Sequence, residues 1–460
     1  MKPAARSLAA VLFVAACSGS GDGGAGGRGG TTGGGGTAGS NAGTGGGAGQ
    51  SGTTGGGGTG GAAGTTGGAG GTGGASGSGG GGGSGGTGGG GGGAGGRGGS
   101  SGTAGGGGAG GRGGTGGSAG AAGETTVYIG GSSSTISVLG LDLTTGALSA
   151  RSTANGGSNP AYLAWDGAKQ FLYAANGGQG RVTSFSIGAL GALTRIGDVS
   201  TAGMGYMATV THVSVHPTGD WVLTAHFDSG HVAVLPVGAN GLAGAPVDIE
   251  HPAAEAHQIV SDASGRHVFV PCRSGNVIAQ YAFDATSGQL SAATPPTVPA
   301  ESGAGPRHIA FHPNQQFAYV INELNGTITS YRYDATAGLL SSPQSMSSAP
   351  AGMNETSSAH VVVHPSGRFV YTSNRTTNTI GMFSVDATSG RLTTIGHETG
   401  GGAVRTPRDF GMEPGGRFLL VANQGTNTVL VLRIDSSTGL LTRVGDPFTV
   451  PSGPQFAGAL

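Results

Sequence analysis

A short turn phrase recurs seven times along the chain after residue 124, at nearly constant spacing. Five copies read Asp-Xaa-Xaa-Xaa-Gly, and the two at Gly188–Gly191 and Gly238–Gly241 are weaker. The phrases close on Gly146, Gly191, Gly241, Gly288, Gly338, Gly390 and Gly439, which are 45, 50, 47, 50, 52 and 49 residues apart. A turn glycine that follows an Asp is typical of a tight connection between β-strands. The spacing therefore predicts seven copies of one small β-unit.

Between these turns lies a second recurring unit, which reads as strand, turn and strand. Residues 307–322 show it best, because two β-branched and aromatic runs flank a His-Pro-Asn turn. A period near 49 residues that holds four short strands is the signature of a β-propeller. Seven turns thus predict an all-β, seven-bladed β-propeller. A β-sandwich would explain neither the seven phrases nor the incomplete units at the two ends.

The ends of the repeat region carry complementary halves of this hairpin. Pro454–Ala459 matches only its first strand, and Thr126–Gly130 matches only its second. We expect the two segments to build one blade together, which would close the ring and remove its free edge.

The first 123 residues have a different composition and cannot join this fold. They hold about 63 of the 106 glycines and only six charged residues. Such a segment cannot bury enough apolar surface to offset its ordering entropy, and it lacks the strict glycine period of collagen. Residues 18–123 are therefore predicted to be a disordered Gly/Ser/Thr-rich linker, and residues 124–460 the propeller domain.

The chain begins with a short basic and apolar segment. Lys2 and Arg6 precede the apolar run Leu8–Ala16, which is too short to span a bilayer and fits a signal peptide. The segment Val14-Ala-Ala-Cys17 resembles a bacterial lipobox, which implies a lipoprotein signal peptide over 1–17 and a lipid anchor at Cys17. By the same resemblance, Ser18 indicates an outer membrane lipoprotein that faces the periplasm or the cell surface. The alternative is an ordinary secretory signal with a cysteine near its cleavage site.

Superposing the hairpins on their central turns isolates two positions whose chemistry varies while their neighbours stay apolar. The first position holds Ala161, Thr211, His257, Arg307, Ala359 and Arg408, and the second holds Gly177, Phe227, Arg273, Glu323, Arg375 and Gln424. The two are 16 residues apart in all six complete hairpins. Residues 307 and 323 would then face one another across antiparallel strands, with Cβ atoms roughly 5 Å apart. We expect both positions at one open end of the ring, around a single pocket.

Other recurring polar residues are expected to be structural. These are the histidines of three His-Pro turns, His216, His312 and His364, and the strand-end residues Asn176, Asn322, Asn374 and Asn423. A charged side chain at the rim of a propeller is usually solvated and has no functional role. This alternative stays open for Arg273 taken alone. No set of His, Asp or Glu has the spacing of metal ligands, so neither a metal nor another cofactor is predicted. A net charge of −1 without a basic face excludes nucleic acid as a partner.

One stretch resembles a known family. Gly303–Pro313 and Tyr319–Leu324 are similar to the seven-bladed lactonases, a family that contains the bacterial propeller-type 6-phosphogluconolactonases and the fungal carboxymuconate-lactonizing enzymes. Residues 373–375, 406–410 and 422–424 fit the family too, and the resemblance covers about 125–460. It implies a catalytic site on His257, Arg307, Glu323 and Arg375.

The sequence also departs from the family pattern. In the repeat of Arg375 the family usually has an acidic residue followed two positions later by His, and here these are His360 and Val362. Where members often carry Asn-Tyr at a strand end, this chain has His226-Phe227. Both changes bear on the substrate more than on the fold.

The candidate residues suit the hydrolysis of a lactone that carries an anionic group. His257 can act as the base for water, and Arg307 and Arg375 can hold the anion and support the oxyanion. Glu323 can orient Arg307 or return a proton to the ring oxygen. Further substrate contacts are expected from Arg408, Gln424 and Arg273.

Two functions therefore follow from the sequence. The first is an exported monomeric lactonase that needs no metal and resembles the 6-phosphogluconolactonases, with a small anionic lactone as substrate and membrane contact only through Cys17. The alternative is a non-catalytic exported propeller that binds a ligand or a partner protein, because fold alone does not decide function.

Overall fold

The computed structural model describes residues 123–201 and 209–460. In this part of the chain, 28 strands form seven four-stranded antiparallel sheets, and the only helical element is the 3₁₀ turn Ala189–Gly191. The prediction of an all-β, seven-bladed propeller is confirmed. The predicted signal peptide, the linker up to residue 122 and Cys17 lie outside the described residues.

The seven blades follow one another along the chain, apart from the last strand, which returns to the first blade. Blade 1 contains β28 (Pro454–Ala459), β1 (Glu124–Gly131), β2 (Thr135–Asp142) and β3 (Leu148–Asn155). Blade 2 contains β4 (Pro160–Trp165), β5 (Phe171–Asn176), β6 (Arg181–Ile187) and β7 (Leu193–Ser200). Blade 3 contains β8 (Val210–Val215), β9 (Trp221–His226), β10 (Val232–Pro236) and β11 (Asp248–Glu250).

The remaining blades keep the same order. Blade 4 contains β12 (Val260–Ser261), β13 (His267–Cys272), β14 (Val277–Asp284) and β15 (Gln289–Pro299). Blade 5 contains β16 (Pro306–Phe311), β17 (Phe317–Asn322), β18 (Thr327–Asp334) and β19 (Leu339–Ser347). Blade 6 contains β20 (Ser358–Val363), β21 (Phe369–Asn374), β22 (Thr379–Val385) and β23 (Leu392–Glu398). Blade 7 contains β24 (Pro407–Met412), β25 (Phe418–Asn423), β26 (Thr428–Ile434) and β27 (Leu441–Thr449).

The two chain-end strands close the ring as predicted. β28 pairs antiparallel with β1, with Val127 opposite Ala459 and Ile129 opposite Ala457. The first strands of neighbouring blades contact each other, so they are the inner strands that surround the ring axis. Side chains on these strands are therefore the ones that can meet in the centre.

The turn glycines let each blade pack closely against the blade before it. Gly288 and Gly390 have φ angles of 75° and 72°, which favour glycine over any residue with a Cβ. A Cβ on Gly288 would also lie 2.4 Å from the Trp221 ring, and one on Gly390 would lie 2.3 Å from the Phe317 ring. Both the backbone angle and the packing between blades therefore require glycine, which explains its recurrence.

The His-Pro histidines join neighbouring blades and do not enter the centre, as expected. Nε2 of His216, His312 and His364 lies 2.7, 2.8 and 2.9 Å from the carbonyl oxygens of Gly265, Gly367 and Gly416, each in the next blade.

The described part of the chain contains no helix that could span a membrane.

Candidate functional site

The inner strands break their register at the first repeat position. In six of the seven inner strands, the pairing with the second strand shifts at this position. The extra residue of such a bulge is left out of the ladder, and its side chain is re-aimed. His257 occupies the matching place in blade 4, between the isolated Ala256–Cys272 bridge and β12. The bulges therefore direct this position of the repeat toward the centre.

The bulge corrects the expected pairing of Arg307 with Glu323. Pro306 pairs with Asn322, and the Glu323 N–H donates to the Gly305 carbonyl oxygen at 2.7 Å, so Arg307 has no direct cross-strand partner. Its side chain nevertheless reaches Glu323, because Arg307 Nε lies 2.9 Å from Glu323 Oε2. The two groups meet through a long side chain and not through strand register.

Glu323 gathers guanidinium groups from three consecutive blades. Besides Arg307, its carboxylate contacts Arg273 Nη1 of blade 4 at 2.9 Å and Arg375 Nη2 of blade 6 at 3.1 Å. Burial alone would raise the pKa of Glu323, but Arg307, Arg375 and Arg273 outweigh it and lower the pKa. Glu323 is therefore a carboxylate at neutral pH that contacts three cations, which favours its expected role of orienting Arg307 over that of returning a proton.

Two adjoining cavities open around these residues. The Glu323 cavity, of about 220 Å³, is lined by Thr209, Thr211, Phe227, His257, Arg307, Glu323, Arg375 and Arg408. The Asp409 cavity, of about 180 Å³, shares five of these residues and adds Asn159, Ala161, Tyr162, Val210, His308, Asp409 and Gln455. The structure thus brings His257, Arg307, Glu323, Arg375 and Arg408 together, although they come from four different blades.

His257 lies between the two cavities. Its Nε2 is 4.0 Å from Glu323 Oε2, its ring packs edge-on against Phe227 at 5.6 Å, and its Nδ1 is buried without a hydrogen-bond partner in the described part of the chain. Burial, together with the charges of Arg307 and Arg408, holds the pKa of His257 well below its usual range. The imidazole is therefore neutral at pH 7, which is the state that a general base requires.

The site is more enclosed than an exposed rim. His257 is 4% exposed and Arg307 3% exposed, so these two side chains are not solvated rim residues. Burial lowers the pKa of Arg307 to about 9, while Glu323 opposes the shift, so the guanidinium keeps its charge at neutral pH.

Arg408 is the cation of the site that has no protein partner. Within the described residues its guanidinium makes no hydrogen bond or ion pair, although it lines both cavities. Burial and the nearby Arg375 lower the pKa of Arg408 to about 10, so it stays charged at neutral pH. A charged, half-buried group without a partner needs an anion to offset its desolvation. Arg408 therefore marks where an anionic ligand group can bind.

Two predicted substrate contacts lie outside the cavity walls. Arg273 is held by Glu255 and Glu323, at 2.8 and 2.9 Å, and lies over the Phe227 ring at 4.9 Å. Gln424 lines neither cavity, and its backbone N–H donates to the Thr406 carbonyl oxygen at 3.2 Å. Arg273 thus contacts Glu323 without lining either cavity, and Gln424 lies outside both cavities.

Gln455 was not among the residues predicted for the site, and of the residues that follow the bulges only His360 was singled out from the sequence. Gln455 occupies the first repeat position of β28, and it follows Pro454 as Arg307 follows Pro306 and Arg408 follows Pro407. A Pro at the start of an inner strand has no N–H to offer the ladder, so the Pro-Xaa pair was a usable signal.

The residues one place after the bulges form a second ring around the axis. In chain order they are Tyr162, His212, Gln258, His308, His360, Asp409 and Phe456. His308 and His360 share a hydrogen bond of 2.6 Å between their Nδ1 atoms, and the Tyr162 and His212 rings lie 4.1 Å apart. Burial lowers the pKa of His308 and of His360, the latter to about 3, so both are neutral.

The departures from the family pattern fall in and beside the site. His360 belongs to the second ring, whereas Val362 packs in the core between blades 6 and 7. Phe227 forms a wall of the Glu323 cavity, and His226 stacks on His231 with ring centroids 3.8 Å apart.

The chain is similar in sequence and in structure to proteins of one family. The sequence model of a family described as "Lactonase, 7-bladed beta-propeller" matches residues 122–456. The 6-phosphogluconolactonase of Pectobacterium carotovorum is 35% identical over 246 residues, which cover 53% of this chain and 71% of that protein. The 6-phosphogluconolactonase of Pectobacterium atrosepticum is 32% identical with the same coverage. The structure of a periplasmic gluconolactonase from Pseudomonas aeruginosa matches with a TM-score of 0.67 and 28% identity, over 73% of this chain and 99% of that one.

Proposed function

Because the chain belongs to the seven-bladed β-propeller lactonase family, we propose that it hydrolyses a lactone that carries an anionic group. The observation that carries the proposal is the cavity-lining guanidinium of Arg408, which has no partner among the described residues and lies beside the neutral base His257. The names of the relatives, 6-phosphogluconolactonase and gluconolactonase, support a lactone as the reacting group.

The charge balance of the site favours an anion. Four guanidinium groups (Arg273, Arg307, Arg375 and Arg408) face the carboxylates of Glu323 and Glu255, which leaves two positive charges in excess when the nearby Asp409 is protonated and one when it is ionised. In a partly buried cavity such an excess strengthens the attraction of a carboxylate or phosphate. The substrate class that fits is therefore a small anionic lactone, with the sugar lactones as the first candidates.

His257 is the proposed general base. It takes a proton from water while the water oxygen attacks the carbonyl carbon of the ring, a step that typically contributes about 10²–10⁴-fold. Arg375 and Arg408 bind the anionic group and stabilise the negative charge that develops on the carbonyl oxygen. Glu323 holds Arg307 and Arg375 in place. Side chains of the protein supply both the base and the cations, so the proposal requires no metal ion.

A pair of sugar lactones tests this proposal. The full-length protein should hydrolyse 6-phosphoglucono-δ-lactone or a carboxylated ring faster than the spontaneous rate, and it should favour it over uncharged glucono-δ-lactone. The same rates are expected with a chelator present. Failure to turn over any phosphorylated, carboxylated or neutral lactone would contradict the proposal, and saturable binding without turnover would favour the non-catalytic alternative.

We also propose that the protein is exported and anchored by a lipid at Cys17. The lipobox-like segment at 14–17 supports this, as does the similarity to a periplasmic gluconolactonase. Cys17→Ser should move the protein from the membrane fraction to the soluble periplasmic fraction. Unchanged sedimentation with membranes, in a strain that exports it normally, would contradict the anchor.

A further inference from the structure

Opening a lactone requires a proton donor for the leaving oxygen as well as a base for water. When the ring C–O bond breaks, the ring oxygen becomes an alkoxide and must take a proton. Glu323 is unsuited to this, because three guanidinium groups surround it and lower its pKa. His257 already holds the proton from water. His257 could return this proton to the ring oxygen, as the catalytic histidine of serine proteases does for a leaving amine, but a second donor in the cavity would protonate that oxygen without His257 having to reach it.

Asp409 has the placement that such a donor needs. It lies in β24 directly after Arg408, its residue is 2% exposed, and it lines the Asp409 cavity together with His257 and Arg307. Its Oδ2 is buried and makes no hydrogen bond within the described residues. A buried carboxyl oxygen without a partner is costly unless a ligand or a proton satisfies it.

Arg408 and Asp409 are complementary, yet they do not pair. Successive residues of a regular strand point to opposite faces, but the bulge at Arg408 lets both side chains line one cavity. No ion pair joins them in the described structure, although one is cationic and the other acidic. Two such groups that stay apart in one cavity point to a ligand between or beside them.

We propose that Asp409 is a catalytic acid that protonates the ring oxygen of the substrate. The inference rests on the proposed lactone hydrolysis. Water adds to the carbonyl carbon and gives one proton to His257; the C–O bond then breaks, its electron pair stays on the ring oxygen, and that oxygen takes the proton of Asp409. His257 releases its proton to solvent and Asp409 regains one, so the net reaction is lactone plus water to hydroxy acid.

The surroundings of Asp409 favour its protonated form. Burial raises the pKa of Asp409 to about 7, while Arg307, the backbone N–H of Ala457 and Arg408 oppose the rise. Tyr162 and the neutral His308 also line the cavity, and neither adds a positive charge at neutral pH. A carboxyl group that is partly protonated near neutral pH is well matched to proton donation.

A pair of lactones with different leaving groups tests the role. A carboxylated δ-valerolactone releases an alkoxide, which needs protonation. A carboxylated dihydrocoumarin, also a six-membered ring, releases a phenoxide whose conjugate acid has a pKa of about 10, like the tyrosine side chain, and needs it much less. Asp409→Asn should slow the aliphatic ring roughly 10²-fold or more, the usual contribution of such catalysis, and leave the aryl ring within a few-fold of the parent.

Each outcome of this test is decisive. Equal losses on both rings, or no loss on either, would overturn the assignment of Asp409, whereas a parent protein that opens neither ring nor any other lactone would overturn the proposed function with it. Asp386→Asn, in an exposed turn of blade 6, is the matched control and should change neither rate.

A second readout needs no variant. In the parent protein the ratio of aliphatic to aryl hydrolysis should fall as the pH rises above about 7, because Asp409 then loses its proton. A ratio that is flat from pH 6 to pH 9 would also overturn the inference, even if Asp409→Asn failed to fold.

Discussion

Glu323 Oε2 lies 2.9 Å from Arg307 Nε within one blade, and the same carboxylate contacts Arg273 of the preceding blade and Arg375 of the following one. One carboxylate thus holds three arginines from consecutive repeats. A single hairpin cannot build such an arrangement, because it needs three consecutive blades packed side by side. The result is a fixed cationic wall beside His257.

Removing the Glu323 charge should destabilise the protein. Glu323→Gln would leave three guanidinium groups, one of them fully enclosed, without their common partner, and breaking a buried ion pair from one side costs roughly 3–5 kcal/mol. Denaturant unfolding measures this loss. The matched control Glu255→Gln removes a more exposed partner of Arg273 and should cost about 0–1 kcal/mol. Similar values for the two variants would contradict the central role of Glu323.

Arg408 should decide between charged and neutral substrates. Arg408→Gln removes the unpaired cation, and a hydrogen bond to a charged group contributes about 1.5–3 kcal/mol, so KM for an anionic lactone should rise roughly 10- to 100-fold. KM for the neutral analogue should change little. Arg405→Gln, an exposed neighbour that lines neither cavity, is the control. Parallel losses on charged and neutral rings would show that Arg408 does not act on the anion.

The pH dependence of kcat/KM should reflect the low pKa of His257. The base is active when it is deprotonated, and burial with Arg307 and Arg408 lowers its pKa below the ordinary value of 6.5. The acid limb of the profile should therefore fall below pH 6.5, so activity persists where a free imidazole would be protonated. Initial rates corrected for spontaneous hydrolysis give the profile. An acid limb above pH 6.5 would rule out His257, in this environment, as the base.

Ring closure should account for a large share of the stability. Deleting 454–460 removes β28 and leaves β1 without its inner partner. It also removes Phe456, which packs against Trp165 and Tyr162. The loss should exceed the roughly 3–5 kcal/mol typical of truncating one buried Phe. Deleting seven residues from the Gly-rich segment is the control, and equal melting temperatures for the two deletions would contradict closure through β28.

The sequence predicts the fold well because each repeat is defined by residues of its own turns and strands. The glycine that closes each turn, the Asp that opens five of the seven, and the strand lengths can be identified without knowledge of neighbouring blades, and the two half-hairpins predict the closure. The bulge at Arg307 escapes this reasoning, because the constant spacing of 16 residues is the same with or without it. In the sequence Asp409 is an ordinary strand residue, and only the bulge shows that its side chain lines the same cavity as that of Arg408.

The assay of His257 is the most direct test of the proposed chemistry. His257→Gln should lower kcat for the best anionic lactone by roughly 10²–10⁴-fold. It should leave the melting temperature close to that of the parent, because Nδ1 has no hydrogen bond to lose in the described structure. His312→Gln is the structural counterpart; it breaks the contact with Gly367, lowers stability by about 1 kcal/mol and leaves kcat unchanged. A His257→Gln protein that turns over as fast as the parent would contradict the proposed active site.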